Sequence, residues 1–362
     1  LILKIGKFRL YFLFILITTP LWAIPRYALE SGTSCILCHV DPSGGGLRND
    51  YGISYGLDDL SAKVPDRLSG YSGIILKHLQ FGGDFRILSV SDTKRNIPDK
   101  LAIFPMQATF QVKNEGKYHT ARLELAGRKD STTLGFQIRI NKLIPKGYFK
   151  FGLSKPAYGL KLDDHTTFIR GGNIGLLHGN HREGMPFVPT LDNVGLVELG
   201  FYLGDTYISA SQSNGYIGGT SGTYVGRIEH YRSLQSFQTL VGSSFLSEGD
   251  LQMVSLFGGI SFGNLYWMGE VDLAENLVEG RSIASYSELT LRLKKGWHLL
   301  GRIDFFDESI KYTEDAIRRT TFGLNYVPLP FVDIKFQIRS SHLSSGKPSK
   351  GLEILSQLHL WF

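Results

Sequence analysis

From about residue 74 to the C-terminus, apolar and polar side chains alternate with a period of two, in one stretch after another. Phe81, Phe85 and Ile87 fall on one face, with Asp84 and Arg86 on the other. Leu123 and Leu125 alternate with Arg122 and Glu124; Phe136, Ile138 and Ile140 alternate with Gln137 and Arg139. The same holds around Val271, Leu289, Ile303 and Ile334, each beside an inward-or-outward charged neighbour. A period of two is the period of a β-strand, so this region is all-β. The strands run to about ten residues, where five or six is usual in a soluble sandwich. Their charges occupy one whole face. A sandwich buries its apolar face, whereas a membrane barrel turns it to lipid and its polar face to the lumen. Strand length and aromatic residues near strand ends favour the barrel. The reading is a transmembrane antiparallel β-barrel of about 16 strands spanning 74–362, even-numbered because a single chain must close on itself.

Two features agree with export to an outer membrane. Lys4, Lys7 and Arg9 precede an apolar run at 10–17, a Thr-Thr-Pro break and a small residue at Ala23; this reads as a signal peptide over 1–23. No later stretch has eighteen consecutive apolar residues, which excludes a helical inner-membrane protein. The chain ends Leu358-His359-Leu360-Trp361-Phe362. That ending resembles the C-terminal signature by which outer-membrane barrels are recognised for assembly. Lys+Arg 39 against Asp+Glu 33 is nearly balanced once the leader's cations are set aside, so a nucleic-acid partner is not suggested.

Between leader and barrel, residues 26–72 carry the chemistry. Cys35-Ile36-Leu37-Cys38-His39 has the C-x-x-C-H spacing of a c-type haem attachment site. The two thiols would form thioether links, and His39 would be the proximal axial ligand of the iron. The alternatives are a C-x-x-C disulfide and half of a zinc site. Zinc needs about four ligands and the chain has no other cysteine. Residues 27–40 are expected to form a short helix carrying the motif, stopped at Asp41-Pro42 and followed by a flexible glycine turn at Gly44, Gly45 and Gly46. Arg48 is the candidate contact for a haem propionate, since a guanidinium suits carboxylate geometry. A segment of this size buries little core, so the haem or the barrel must supply the rest.

A sixth ligand is not found in this segment, which has no methionine and no histidine besides His39. Met185 is the first candidate, then His178 and His181, then Met268, whose strand parity points it to the lumen. Residues 171–193, where alternation fails, form a long loop that could fold into the barrel. If the barrel supplies the ligand, the haem sits at the periplasmic end or inside the lumen. Arg86, Arg122, Glu124, Arg139, Glu270, Arg292, Arg302, Asp304 and Arg339 would then face it, or would line an aqueous pore.

Leader, single C-x-x-C-H, barrel and terminal Phe together resemble the fused cytochrome–porins of bacterial outer membranes. The resemblance implies a small N-terminal mono-haem cytochrome c segment plugging or capping the barrel. It implies one covalent haem c, held by Cys35 and Cys38 and ligated by His39. It implies electron transfer through the outer membrane between a periplasmic c-type cytochrome or other carrier and an extracellular redox partner, in several members ferrous iron. Gly44-Gly45-Gly46-Leu47-Arg48-Asn49 departs from the iron-oxidising members, so iron as the donor does not follow. An electron carrier is expected rather than an enzyme, or, if an enzyme, a haem oxidoreductase; the sequence offers no defensible Ser/His/Asp or paired-carboxylate arrangement. Two other functions fit the same sequence: a passive porin whose C-x-x-C is only a disulfide, and a structural or adhesive barrel.

Overall fold

The computed structural model describes residues 26–31, 34–42, 44–76, 78–92, 101–127, 132–162, 164–172, 184–188, 193–235, 237–278, 280–312, 314–344 and 351–362. The leader at 1–23, His178 and His181 lie outside the described residues. Two short helices, α1 (Arg26–Ser31) and α2 (Asp50–Tyr55), flank a 3₁₀ turn at Cys35–Leu37, and α2 runs on into a wide turn at Gly56–Leu60. A short strand, β1 (Ile74–Leu76), leads into the barrel.

Sixteen strands follow in chain order: β2 (Leu79–Asp92), β3 (Leu101–Glu115), β4 (His119–Gly127), β5 (Thr132–Asn141), β6 (Gly147–Ser154), β7 (Val194–Leu203), β8 (Thr206–Ser213), β9 (Thr223–Leu234), β10 (Phe237–Glu248), β11 (Leu251–Phe262), β12 (Leu265–Glu275), β13 (Arg281–Lys294), β14 (Trp297–Asp307), β15 (Ile317–Tyr326), β16 (Val332–Leu343) and β17 (Glu353–Trp361). Each pairs antiparallel with its neighbour in sequence, and β17 pairs back onto β2, from Glu353 against Asp92 to Trp361 against Asp84. The ring is closed and has no free edge, the arrangement a β-structure needs in lipid.

Inside and outside follow the alternation. Leu123, Leu125, Val271, Leu273, Leu289, Leu291, Ile303 and Phe322 are exposed on the outer surface. Arg86, Arg139, Glu270, Arg302, Asp304 and Arg339 are buried in the lumen, and Arg122, Glu124 and Arg292 are half-buried there. This parity excludes the soluble sandwich, whose apolar face would be the buried one. Connections are short at one end, as at β9–β10 and β11–β12, and mostly longer at the other, as at β6–β7, β8–β9 and β14–β15, although β10–β11 is also tight. Short turns mark the periplasmic side of outer-membrane barrels. Aromatic rings gather at that end: Trp297 stacks on Tyr326 at 4.0 Å, and Phe331 meets Tyr71 and Trp361 at 5.3 and 5.0 Å.

Two segments fill the lumen. The stretch from α1 through Leu60 enters at the short-turn end, where Ala62 N–H donates to the Val327 carbonyl at 2.8 Å. The second is the connection between β6 and β7, which turns inward directly after Ser154 and so begins earlier than the break in alternation at 171 suggests. Its Arg170 is 1% exposed and pairs with Glu270 at 2.8 Å and with Asp272 at 3.4 Å. Leu29 of α1 packs in one apolar cluster with Tyr158, Leu160, Phe168 and Met185 of this connection, so the two segments meet inside the barrel.

Candidate functional site

The C-x-x-C-H motif is not carried on a helix spanning 27–40. The α1 helix stops at Ser31, and the motif makes a single 3₁₀ turn in which Cys38 and His39 N–H groups donate to the Cys35 carbonyl at 3.2 and 2.9 Å. Ser34, just before the turn, is extended at φ −82° and ψ 165°, so no continuous helix runs into the motif. After the motif the chain doubles back. Gly44, Gly45 and Gly46 have φ of 87°, 80° and 64°, a left-handed run that only glycine adopts at little cost. The turn brings Val40 N–H to the Leu47 carbonyl at 2.9 Å and bridges His39 to Arg48. The expected flexible turn is therefore a hydrogen-bonded clasp. A Cβ at Gly44 would stand 3.0 Å from the Cys35 sulfur.

Asn49 ties the clasp to α2. Its side-chain oxygen accepts from Gly52 N–H at 3.0 Å, capping the helix, and its amide donates to the Ile36 carbonyl at 2.9 Å. Lumen side chains hold the clasp from outside. Gln111 accepts from Leu47 N–H at 2.7 Å, Gln80 donates to the Arg48 carbonyl at 2.8 Å, and Arg139 donates to the Val40 carbonyl. Lys150 is wholly buried between Glu198 at 2.7 Å and Asp41 at 3.4 Å. None of these anchors carries a motif in the sequence; each reads as an ordinary inward polar residue.

The motif opens onto a chamber of about 260 Å³, partly open to solvent. Cys35, Cys38 and His39 form one part of its wall. Leu60, Leu88, Leu300, Val327, Leu355, Met106 and Met268 supply apolar surface, and Trp361, Tyr55 and Tyr286 supply rings. Arg48, Arg86, Lys161, Arg302, Lys335 and Arg339 supply cations, and Asp164, Glu288 and Asp333 supply carboxylates. With six cationic side chains to three acidic ones, such a lining suits a guest with an apolar body and anionic groups.

Of the residues expected from the sequence, Cys35, Cys38, His39, Arg48 and Met268 share this chamber. Arg48 lies with its guanidinium over the Trp361 ring, 3.5 Å from the centroid. Met185 is fully buried in the apolar cluster and is not part of the chamber wall, whereas Met268 belongs to both. His359 and Met106 line the chamber and were not singled out from the sequence; His359 is tied to Asp84 at 3.2 Å. Cys35 and Cys38 are free thiols. Burial pushes them up to about 12 and about 11, so neither is a ready thiolate. Among the described residues no group of three His, Cys, Asp or Glu is placed to hold a metal ion.

No protein-family model matches the chain, and no curated protein matches it. Among solved structures the fold is similar to the outer membrane channel DcaP of Acinetobacter baumannii, with a TM-score of 0.53 at 10% identity over 78% of this chain and 97% of that one. It is similar to a mutant of the Rhodopseudomonas blastica porin, with a TM-score of 0.53 at 10% identity over 78% of this chain and 100% of that one. Outer-membrane expressed OmpT of Vibrio cholerae gives 0.54 at 10% identity over 78% and 97%. The chain folds as a porin-like barrel. At this identity the likeness is one of fold. With the apolar outer surface it supports an outer-membrane location.

Proposed function

We propose that this barrel is an outer-membrane electron-transfer protein holding one covalent haem c in its lumen. The observation that carries the reading is the opening of Cys35, Cys38 and His39 onto one chamber whose wall is apolar, aromatic and cationic. The donor set suits the group: two thiols and an adjacent imidazole at the attachment spacing. Gly44 keeps the space beside the Cys35 sulfur clear of any Cβ. Bound haem would supply a one-electron ferric–ferrous couple. Cys35 and Cys38 would hold it and His39 would ligate the iron, with Met268 the lumen-wall candidate for the distal side. The protein's own part is to fix that ligand, exclude bulk water with the inserted segments, and set the local charge. The motif lies toward the short-turn end, which suits exchange with a periplasmic cytochrome or similar carrier; the long-loop end would meet an extracellular redox partner.

The likeness to channels and porins favours a second reading, a passive porin whose C-x-x-C is a disulfide. On the comparisons alone this reading is the better supported, because they bear on the barrel and not on a haem. Against an open pore stands the filling of the lumen by the two inserted segments.

One preparation separates the two. The full chain, exported from a host with a c-type maturation system, is denatured, run on a gel and stained for covalent haem. A stained band that disappears in Cys35→Ala with Cys38→Ala is the expected result. An unstained band that gains two alkylated cysteines only after reduction, together with solute flux in vesicles, would establish the porin instead.

A further inference from the structure

The geometry points to Arg302 and Arg339, on β14 and β16, as the carboxylate-binding side of the chamber, the pair that would receive the haem propionates. This rests on the haem reading above and assigns residues that the sequence did not single out for the task. Arg48 was the natural candidate from its place beside the motif. However, its guanidinium is stacked on Trp361, and it is the cation nearest in effect to Cys38. It therefore lies along the thioether edge of the chamber.

The opposite edge is richer in unmet donors. Arg339 is 1% exposed and borders the chamber, and its Nε and Nη1 make no hydrogen bond. Its Nη2 donates to Thr166 at 2.6 Å and Gln337 at 2.7 Å. Arg302 is 3% exposed; its Nη1 donates to Asp164 at 2.8 Å, and its Nη2 makes no hydrogen bond. Asp164 also stands 3.9 Å from Arg339, and Asp304 stands 3.0 Å from Arg302 Nε, yet Arg302 Nη2 and Arg339 Nε and Nη1 still lack an acceptor. Leaving buried guanidinium donors without partners is costly, and a planar carboxylate is the group that a guanidinium fork matches best.

Placement around the ring agrees. The charged groups acting on Cys35 include Glu229 and Arg227 of β9, together with Lys161. β14 and β16 lie five and seven strands away in a ring of sixteen, across the lumen. The span is short enough for one guest. Lys161 lies against Gly44 and Gly45 beside the motif, and Asp164, three residues on, reaches the two arginines. Three extended residues cover about 10 Å. A ligand fixed at Cys35 and Cys38 would thus present its far side to Arg302 and Arg339.

The test uses the haem-loaded full chain and the variants Arg302→Gln, Arg339→Gln and Arg48→Gln, with Arg339→Lys as a milder change should the neutral ones fail to assemble. Heat-modifiable gel mobility reports barrel closure, and the haem stain reports attachment. The expected result is retained stain in every closed variant. The midpoint potential falls in the Arg302 and Arg339 variants, because a cation next to the propionates disfavours the ferric state. Their propionate bending bands in the resonance Raman spectrum also move, while those of Arg48→Gln stay in place. Loaded wild type with unmoved bands and potential in both Gln variants, or with the shift found in Arg48→Gln alone, would overturn this assignment and leave the haem reading intact. Wild type without a stained band would overturn both.

Discussion

Lys150 shows how a single residue seats the motif. Its ammonium is wholly buried, 2.7 Å from Glu198 and 3.4 Å from Asp41, and Tyr148 donates to the same Glu198 at 2.8 Å. A buried charge of this kind is tolerable only with its partners in place. Lys150→Met would remove the cation between Asp41 and Glu198, leaving Asp41 the more distant Arg122 at 3.8 Å, at a cost of up to about 3–5 kcal/mol. The strain falls on the clasp, because Asp41 can swing away while Glu198 is fixed in β7. Hydrogen exchange should therefore quicken across residues 34–55 and stay unchanged in β10–β14. Equal protection in variant and parent would mean that Asp41 is not what holds the clasp. Asn49→Ala should act in the same direction but more weakly, about 1–2 kcal/mol for one helix cap and one hydrogen bond to the Ile36 carbonyl.

At the scale of elements, the connection after β6 fills part of the lumen. Arg170 anchors it by a forked pair of bonds to Glu270, at 2.8 and 2.9 Å, with Asp272 at 3.4 Å. Arg170→Met would leave two buried carboxylates without their cation, and the segment should leave the lumen. Single-channel conductance in a planar bilayer should then rise well above that of the parent; an unchanged conductance would show that apolar packing around Phe168 and Tyr158 holds the segment without the ion pairs. This element also marks the limit of what the sequence disclosed. The strands were legible because period two is a local pattern: Leu289 and Glu288 declare their opposite faces to anyone reading along the chain. The haem-type motif was legible because its five residues are contiguous. The inserted connection was legible as a break in alternation over 171–193; the inward course of Pro156, Ala157, Tyr158 and Gly159 was not, because the partners that hold them lie far away in the chain. Arg170 meets Glu270 across a hundred residues, and Arg339 meets Thr166 across more. Contacts across a lumen have no signature in spacing. For the same reason Met185, attractive as a methionine in a loop, belongs to the packed cluster, and Met268, one of many inward positions on a strand, belongs to the chamber wall.

For the whole molecule, the reading that the apolar surface meets lipid has a depth-dependent consequence. Leu289 and Leu293 both point outward from β13 and are 47% and 51% exposed. Leu289 lies toward the middle of the strand, paired with Trp267 on one side and Gly301 on the other. Leu293 lies beside Lys294 at the short-turn end, where Lys294 stands 5.7 Å from the Trp297 ring. In water, an exposed leucine changed to arginine alters stability little at either place. In a bilayer, arginine at the midplane costs about 2–4 kcal/mol, falling to about 0–1 kcal/mol near the interface. Leu289→Arg should therefore lower the stability of the vesicle-inserted barrel by about 2–4 kcal/mol, and Leu293→Arg by less than about 1 kcal/mol. Reversible denaturant titration in thin-bilayer vesicles measures both. Equal effects at the two positions would contradict a lipid-facing wall, because only a hydrocarbon slab distinguishes two leucines that share a strand, a face and an exposure. Neither side chain touches the chamber, so the haem stain should survive both changes, and stability in the membrane can be read separately from what the lumen holds.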